Sequence, residues 1–234
     1  MERPFTNRQE AGRLLAARLC GYAGRRDVVV LALPRGGVPV AFEVARALRV
    51  ALDVLPVCKL GVPWQAELAM GALSSNGAQY VDSAIVRETG VSEAQLQDAL
   101  ALARIELGRR EARYRPIRDH DGRDERDECD GRAPLAVAGR VAIVVDDGMA
   151  TGASLKAAAL ALASLGPARI VAALPVAPAG APARLAGAVD ECVCVRTPHA
   201  FHSVGENYLD FEQVSDETVR ALLDAANDSA ADAR

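Results

Sequence analysis

Two short stretches constrain this chain more than any others. Asp27–Leu33 (DVVVLAL) and Val141–Val145 (VAIVV) are apolar runs with no interior polar residue. A strand with one face in water alternates polar and apolar side chains. An unbroken apolar run instead predicts a strand buried on both faces, as in a parallel sheet covered by helices. The first run stops at Pro34-Arg35-Gly36-Gly37 and the second at Asp146-Asp147-Gly148. Helical periodicity follows each, over Val38–Leu48 (Val40, Val44, Ala45 and Leu48 on one face) and over Thr151–Leu165. Leu52–Cys58 reads as a second buried strand, which completes a β-α-β unit with a right-handed crossover. Ala168–Leu174 and Glu191–Val195 read as further strands, with a short helix over Ala181–Ala188 between them. The expected fold is α/β, a doubly wound and mostly parallel five-stranded sheet in a single domain over residues 1–234.

The flanking segments are read in the same way. Residues 5–22 predict a helix with Leu14, Leu15, Ala17 and Leu19 as core positions. Ser92 and Gln95 form a capping box, and Leu96, Leu100, Ala103 and Leu107 repeat at helical spacing up to about Tyr114. Residues 59–80 predict a flexible loop or a hairpin, 118–134 a charged and disordered loop, and 196–234 a loop and final helix that could form a hood.

Composition narrows the function. Half of the 234 residues are apolar but only 4% are aromatic, so the core is built of Val, Leu, Ala and Ile. The net charge of −4 speaks against a free-standing nucleic-acid binder. No run has signal-peptide character or the ~18 apolar residues of a membrane span, so a cytoplasmic protein without a membrane partner is expected. Cys192 and Cys194, with His199 and His202 nearby, match no standard zinc spacing and read as thiols on a strand; no protein metal site is expected.

The chemistry concentrates where the Val141–Val145 run ends. In open α/β sheets, ligands sit beyond the carboxyl ends of the strands. Asp146 and Asp147 are adjacent carboxylates that need donors or a cation, and a sugar diol or a magnesium ion would serve. Gly148, Met149, Ala150, Thr151, Gly152, Ala153 and Ser154 follow. Small residues let a ligand approach the backbone, and the helix that begins here presents unpaired N–H groups and a positive dipole end. That is a cradle for a phosphate monoester. A diol reader followed by a phosphate cradle describes a ribose 5-phosphate site. The dinucleotide G-x-G-x-x-G and the Walker A spacing are both absent.

The stretch VAIVVDDGMATGAS resembles the phosphoribosyl-pyrophosphate (PRPP) signature of type I phosphoribosyltransferases. The resemblance implies that Asp146 and Asp147 hold the ribose hydroxyls, with Asp147 a catalytic candidate, and that Met149–Ser154 cradle the 5′-phosphate. It implies that Pro34-Arg35-Gly36-Gly37 is the pyrophosphate loop, with a cis peptide at Pro34–Arg35 and a catalytic contact from Arg35. Cys58-Lys59-Leu60-Gly61 is similar to the family's R-K-x-G segment: Cys58 replaces the arginine, and Lys59 would reach the diphosphate as a catalytic residue. Trp64 and Glu67 fall where the family has a closing loop, Trp64 as a lid contact or a hairpin anchor. The implied reaction moves the phosphoribosyl group from PRPP to a nitrogenous base. Mg²⁺ arrives with PRPP, and a homodimer is the assembly considered. Ala150 stands where 6-oxopurine enzymes carry an Asp, which argues against hypoxanthine or guanine. Phe201, Val204, Tyr208 and Phe211 are the acceptor-base candidates, by stacking or through backbone groups. The alternatives are a PRPP-binding regulator with little turnover and, ranked below it, a phosphosugar hydrolase.

Overall fold

A computed structural model describes residues 3–75, 77–114 and 137–231, with backbone only at 66–67 and 227–231. The charged segment 118–134 lies outside these residues. Among the described residues, five strands form an all-parallel sheet: β1 (Val28–Ala32), β2 (Ala51–Val54), β6 (Val141–Val145), β7 (Arg169–Val176) and β8 (Glu191–Arg196), in the order β2-β1-β6-β7-β8. Alternation along each buried strand feeds two cores. Val28, Val30 and Ala32 face the side covered by α1 (Arg8–Arg18), α2 (Gly37–Leu48) and α7 (Asp216–Ala231). Val29, Leu31 and Leu33 face the side covered by α5 (Ala153–Ala163) and α6 (Ala181–Leu185). The doubly wound expectation therefore holds. None of the helices among the described residues is long and apolar enough to cross a membrane.

Strand order fixes where a ligand can sit. The chain leaves β1 for β2 on one side and β6 for β7 and β8 on the other, so the topological switch lies between β1 and β6. These strands pair Ala32 with Val145, and Leu33 N–H donates to Val145 C=O at 2.9 Å. The two loops singled out in the sequence thus emerge side by side, where an open α/β sheet parts to admit a ligand.

Two readings change, one alternative is resolved and one helix is added. The expected strand Leu52–Cys58 is broken. Leu55 N–H makes a last bond to Ala32 C=O at 2.8 Å, and Pro56, which has no N–H to donate, ends the parallel pairing. Of the two alternatives for residues 59–80 the hairpin is observed: β3 (Val57–Val62), β4 (Gln65–Ser74) and β5 (Gln79–Val81) form an antiparallel sheet. Leu60, Val62, Met70 and Leu73 of that sheet pack on Leu96, Leu100, Ala103 and Leu107 of α4 (Glu93–Tyr114). The capping box is present, Ser92 N–H to Gln95 Oε1 at 2.9 Å and Gln95 N–H to Ser92 Oγ at 3.3 Å. A helix outside the expected set, α3 (Ser83–Thr89), is capped by Asp82 through the Ala84 and Ile85 amides. Finally, α1 is rotated from the expected phase: Ala11, Leu15, Ala16 and Leu19 are buried, whereas Leu14 is 39% exposed and Ala17 is exposed.

In chemical denaturation, Leu15→Ala should lose about 2–5 kcal/mol of stability by opening a core cavity. Its neighbour Leu14→Ala should stay within about 0.5 kcal/mol. Equal effects at the two positions would contradict this helix phase.

Candidate active site

The loop after β1 and the loop after β6 touch. A Cβ at Gly36 would lie 2.1 Å from Asp147 Oδ2, and one at Gly37 would lie 2.7 Å from Val145 C=O, so only glycine fits at either position. The Pro34–Arg35 peptide is cis, as the resemblance implied. Gly37 N–H donates to Leu33 C=O at 3.1 Å and is therefore taken up within the turn. The Arg35 side chain crosses to Asp216 at the start of α7, 3.7 Å away.

After β6 the chain is anchored before it opens. Met149 N–H donates to Val176 C=O at 2.9 Å, and the Met149 side chain is buried. Of the expected cradle residues Met149–Ser154, Met149 therefore offers no open amide. Gly152 adopts the left-handed conformation (φ 85°) ahead of α5, and Met149 Sδ occupies the space where a Cβ would fall. Among the described residues, the amides of Ala150, Thr151, Gly152, Ser154 and Leu155 have no protein acceptor. Those are the donors that a helix start leaves open for an anion. Arg184 of α6 donates to Ala150 C=O at 2.6 Å and brings a positive charge beside them. Sequence reading missed Arg184.

The two carboxylates have separate surroundings. Asp146 lines a cavity of about 410 Å³ together with Arg35, Ser154, Glu106, Arg110, Arg113, Tyr114 and Asp216. Burial, reinforced by the Asp147 charge, pushes its carboxyl well above the ordinary range. Asp147 lines a second cavity of about 370 Å³ with Arg8, Arg35, Gly36, Phe211, Gln213 and Val214. Burial raises its pKa as well, opposed by Arg8. The Arg8 guanidinium places Nε and Nη2 each 2.9 Å from Asp147 Oδ2, donates through Nη1 to Glu212 C=O at 2.8 Å, and sits 4.0 Å over the Phe211 ring. Arg8 was invisible in the sequence because its partner lies 139 positions away.

The acceptor-side aromatics separate. Tyr208 is buried between Phe5 and Phe211, at centroid distances of 5.3 and 5.0 Å, and its hydroxyl donates to Asp147 C=O at 2.6 Å. It is a structural post and cannot stack on a base. Phe201 and Val204 pack on the same cluster, Val204 against Gly148. Phe211 alone of the four borders either of these two cavities, with Arg8 already on its ring. Lys59 is not brought into the site either: it lies within β3 opposite Ala72, is exposed, and lines neither cavity. Trp64 is 57% exposed at the β3–β4 turn, so it does not anchor a hairpin core. The Glu67 side chain lies outside the described residues.

The family model described as "Phosphoribosyl transferase domain" matches residues 6–209. Over 229 residues, 98% of the chain, it is 46% identical to proteins named "Putative phosphoribosyl transferase" from two strains of Mycobacterium tuberculosis. The chain spans about half the length of these relatives, 48%. The crystal structure of TT1426 from Thermus thermophilus superposes with a TM-score of 0.78 at 39% identity, covering 95% of this chain and 98% of that one.

Two outcomes follow from the acid pair. Arg8→Ala strands a buried carboxylate and should cost about 3–5 kcal/mol in denaturant titrations, and far less in an Asp147→Asn background. For Asp146, the folded pKa stands above the unfolded one, so the folded chain holds its proton more tightly. Stability of the ligand-free protein should therefore fall as pH rises from the ordinary carboxylate range to that raised value. Asp146→Asn should flatten this fall in thermal melts run from acid to neutral pH.

Proposed function

We propose that this chain, which belongs to the phosphoribosyl transferase domain family, transfers the 5-phosphoribosyl group of PRPP to a nitrogenous base and releases pyrophosphate. The observation that carries this reading is the abutment of two loops at one sheet opening. Open amides at the start of α5, the Asp146 carboxylate and the Arg35 loop all converge there, with Asp146, Ser154 and Arg35 sharing one cavity. A phosphate, a diol and a diphosphate are three parts of one substrate, and these are the three chemistries on offer.

In this mechanism the amides of Ala150, Thr151, Gly152, Ser154 and Leu155 and the Ser154 hydroxyl hold the 5′-phosphate. Asp146 accepts from the ribose hydroxyls within the larger cavity. The Asp147 side chain is clamped by Arg8 and fixes the loop more than it reads the sugar. Arg35 binds the diphosphate and stabilises the charge that grows on it as the bond to C1 breaks. Holding phosphate, ribose and diphosphate at once restricts C1 to a geometry open to attack by the base nitrogen. The Asp146 carboxylate, with no cation on it among the described residues, is a hard oxygen donor that fits Mg²⁺. When bound with PRPP, the ion neutralises diphosphate charge.

Labelled PRPP and Mg²⁺ offered with a panel of nitrogenous bases should give base-dependent pyrophosphate release. Asp146→Asn should lower kcat/KM at least about tenfold, a loss of about 1.4 kcal/mol of transition-state stabilisation. Tight PRPP binding with no release across the panel would instead assign the chain to PRPP-dependent regulation. Absence of PRPP binding would end the reading.

A further inference from the structure

The larger cavity has a wall that belongs to none of the motifs through which the chain resembles its family. It is the last turns of α4. The apolar stripe of that helix, through Leu100 and Leu107, is taken up by the antiparallel sheet. Glu106, Arg110 and Arg113, at spacings of four and three, form a second stripe and border the cavity together with Arg35, Asp146 and Ser154. Arg110 is oriented: its Nε donates to Glu106 Oε1 at 2.9 Å and its Nη1 to Val57 C=O at 3.3 Å. Arg113 has no hydrogen bond or ion pair among the described residues.

The pairing of these side chains then points to an anion. The lining holds three guanidinium groups and three carboxylates, so its formal charge balances and the pairing decides: Arg35 lies 3.7 Å from Asp216 and Arg110 2.9 Å from Glu106, whereas Arg113 makes no ion pair among the described residues, Asp146 included. A helix C-terminus favours basic residues in general. That preference would be met by arginines anywhere around the last turn, and it does not require both to line the cavity that Arg35 and Ser154 line. Building on the phosphoribosyl reading above, we infer that Arg110 and Arg113 are binding residues for the diphosphate of PRPP. They grip it from α4 while Arg35 grips it from the β1 loop. Guanidinium forks suit this task because each can offer two parallel N–H bonds to phosphate oxygens.

The test is calorimetric titration of the full chain with magnesium pyrophosphate and, separately, with ribose 5-phosphate. Wild type should bind both. Arg110→Gln and Arg113→Gln should each weaken pyrophosphate binding about tenfold, roughly one charge-assisted hydrogen bond, and leave ribose 5-phosphate affinity within about twofold. Arg113→Lys should recover part of the loss. Thermal melts of both glutamine variants separate lost binding from lost folding. Unchanged pyrophosphate affinity in both glutamine variants overturns the inference and leaves the phosphoribosyl reading intact. Wild type that binds ribose 5-phosphate but not pyrophosphate does the same. Wild type that binds neither ligand overturns both.

Discussion

The site depends on one buried ion pair. Arg8 stands in the first turn of α1, yet its guanidinium reaches Asp147, the Glu212 carbonyl and the Phe211 ring, with little of the side chain left in water. Without it, Asp147 would be a desolvated carboxylate directly behind a second one. With it, Asp147 can press against Gly36 and lock the β1 loop to the β6 loop. Tyr208 completes the clamp by donating to the Asp147 carbonyl while Phe5 pairs with it as an isolated parallel bridge. The N-terminal helix, the loop 197–215 and both ligand-facing loops are thereby made into one unit. Small displacements there would be felt at every contact a ligand makes.

Much of this was legible in the sequence, for reasons that particular residues make plain. Val28–Ala32 and Val141–Val145 are apolar throughout because both faces are covered, and that pattern pointed to a parallel sheet before any pairing was known. The α4 stripe and its Ser92–Gln95 cap were equally readable, because local spacing determines them. The errors came where tertiary contacts decide. Pro56 marks the point at which the chain exchanges a parallel partner for an antiparallel one, but the apolar run continues across it. The phase of α1 turns on which of Leu14 and Leu15 meets α2, and the sequence does not distinguish two adjacent leucines. Tyr208 looked like a free aromatic in a chain poor in them, when the same scarcity made it the post of a small separate core.

The cations illustrate the same division. Arg35 was found from its loop, whereas Arg8, Arg110 and Arg184 reach the site from three helices with no motif to mark them. Arginine is common on helical surfaces, so nothing in its local surroundings signals convergence. Convergence follows from topology. A switch point between β1 and β6 draws elements from both faces of the sheet to one opening, and long side chains from those elements can meet there. The excess of acid over base in the whole chain therefore says little about the charge at this opening, where three guanidinium groups meet three carboxyl groups.

Asp146 and Asp147 are neighbours in sequence but not duplicates in role. Successive side chains at the end of an extended strand point to opposite sides, so one faces the larger cavity and the other faces Arg8. Of the two, only Asp147 makes an ion pair with a cation among the described residues. Asp146 accepts the Asp147 amide at 2.9 Å, which is not enough to offset its desolvation, and the adjacent Asp147 charge raises the cost further. A fold selected for stability alone would place a better-paired or an apolar residue at that position. A carboxyl group kept without a cation of its own, at the mouth of an otherwise well-packed sheet, is relieved by a proton in the free protein, or by hydroxyls or a metal ion that come to it from outside. Its unfavourable state in the free protein thus adds to the free energy released on binding.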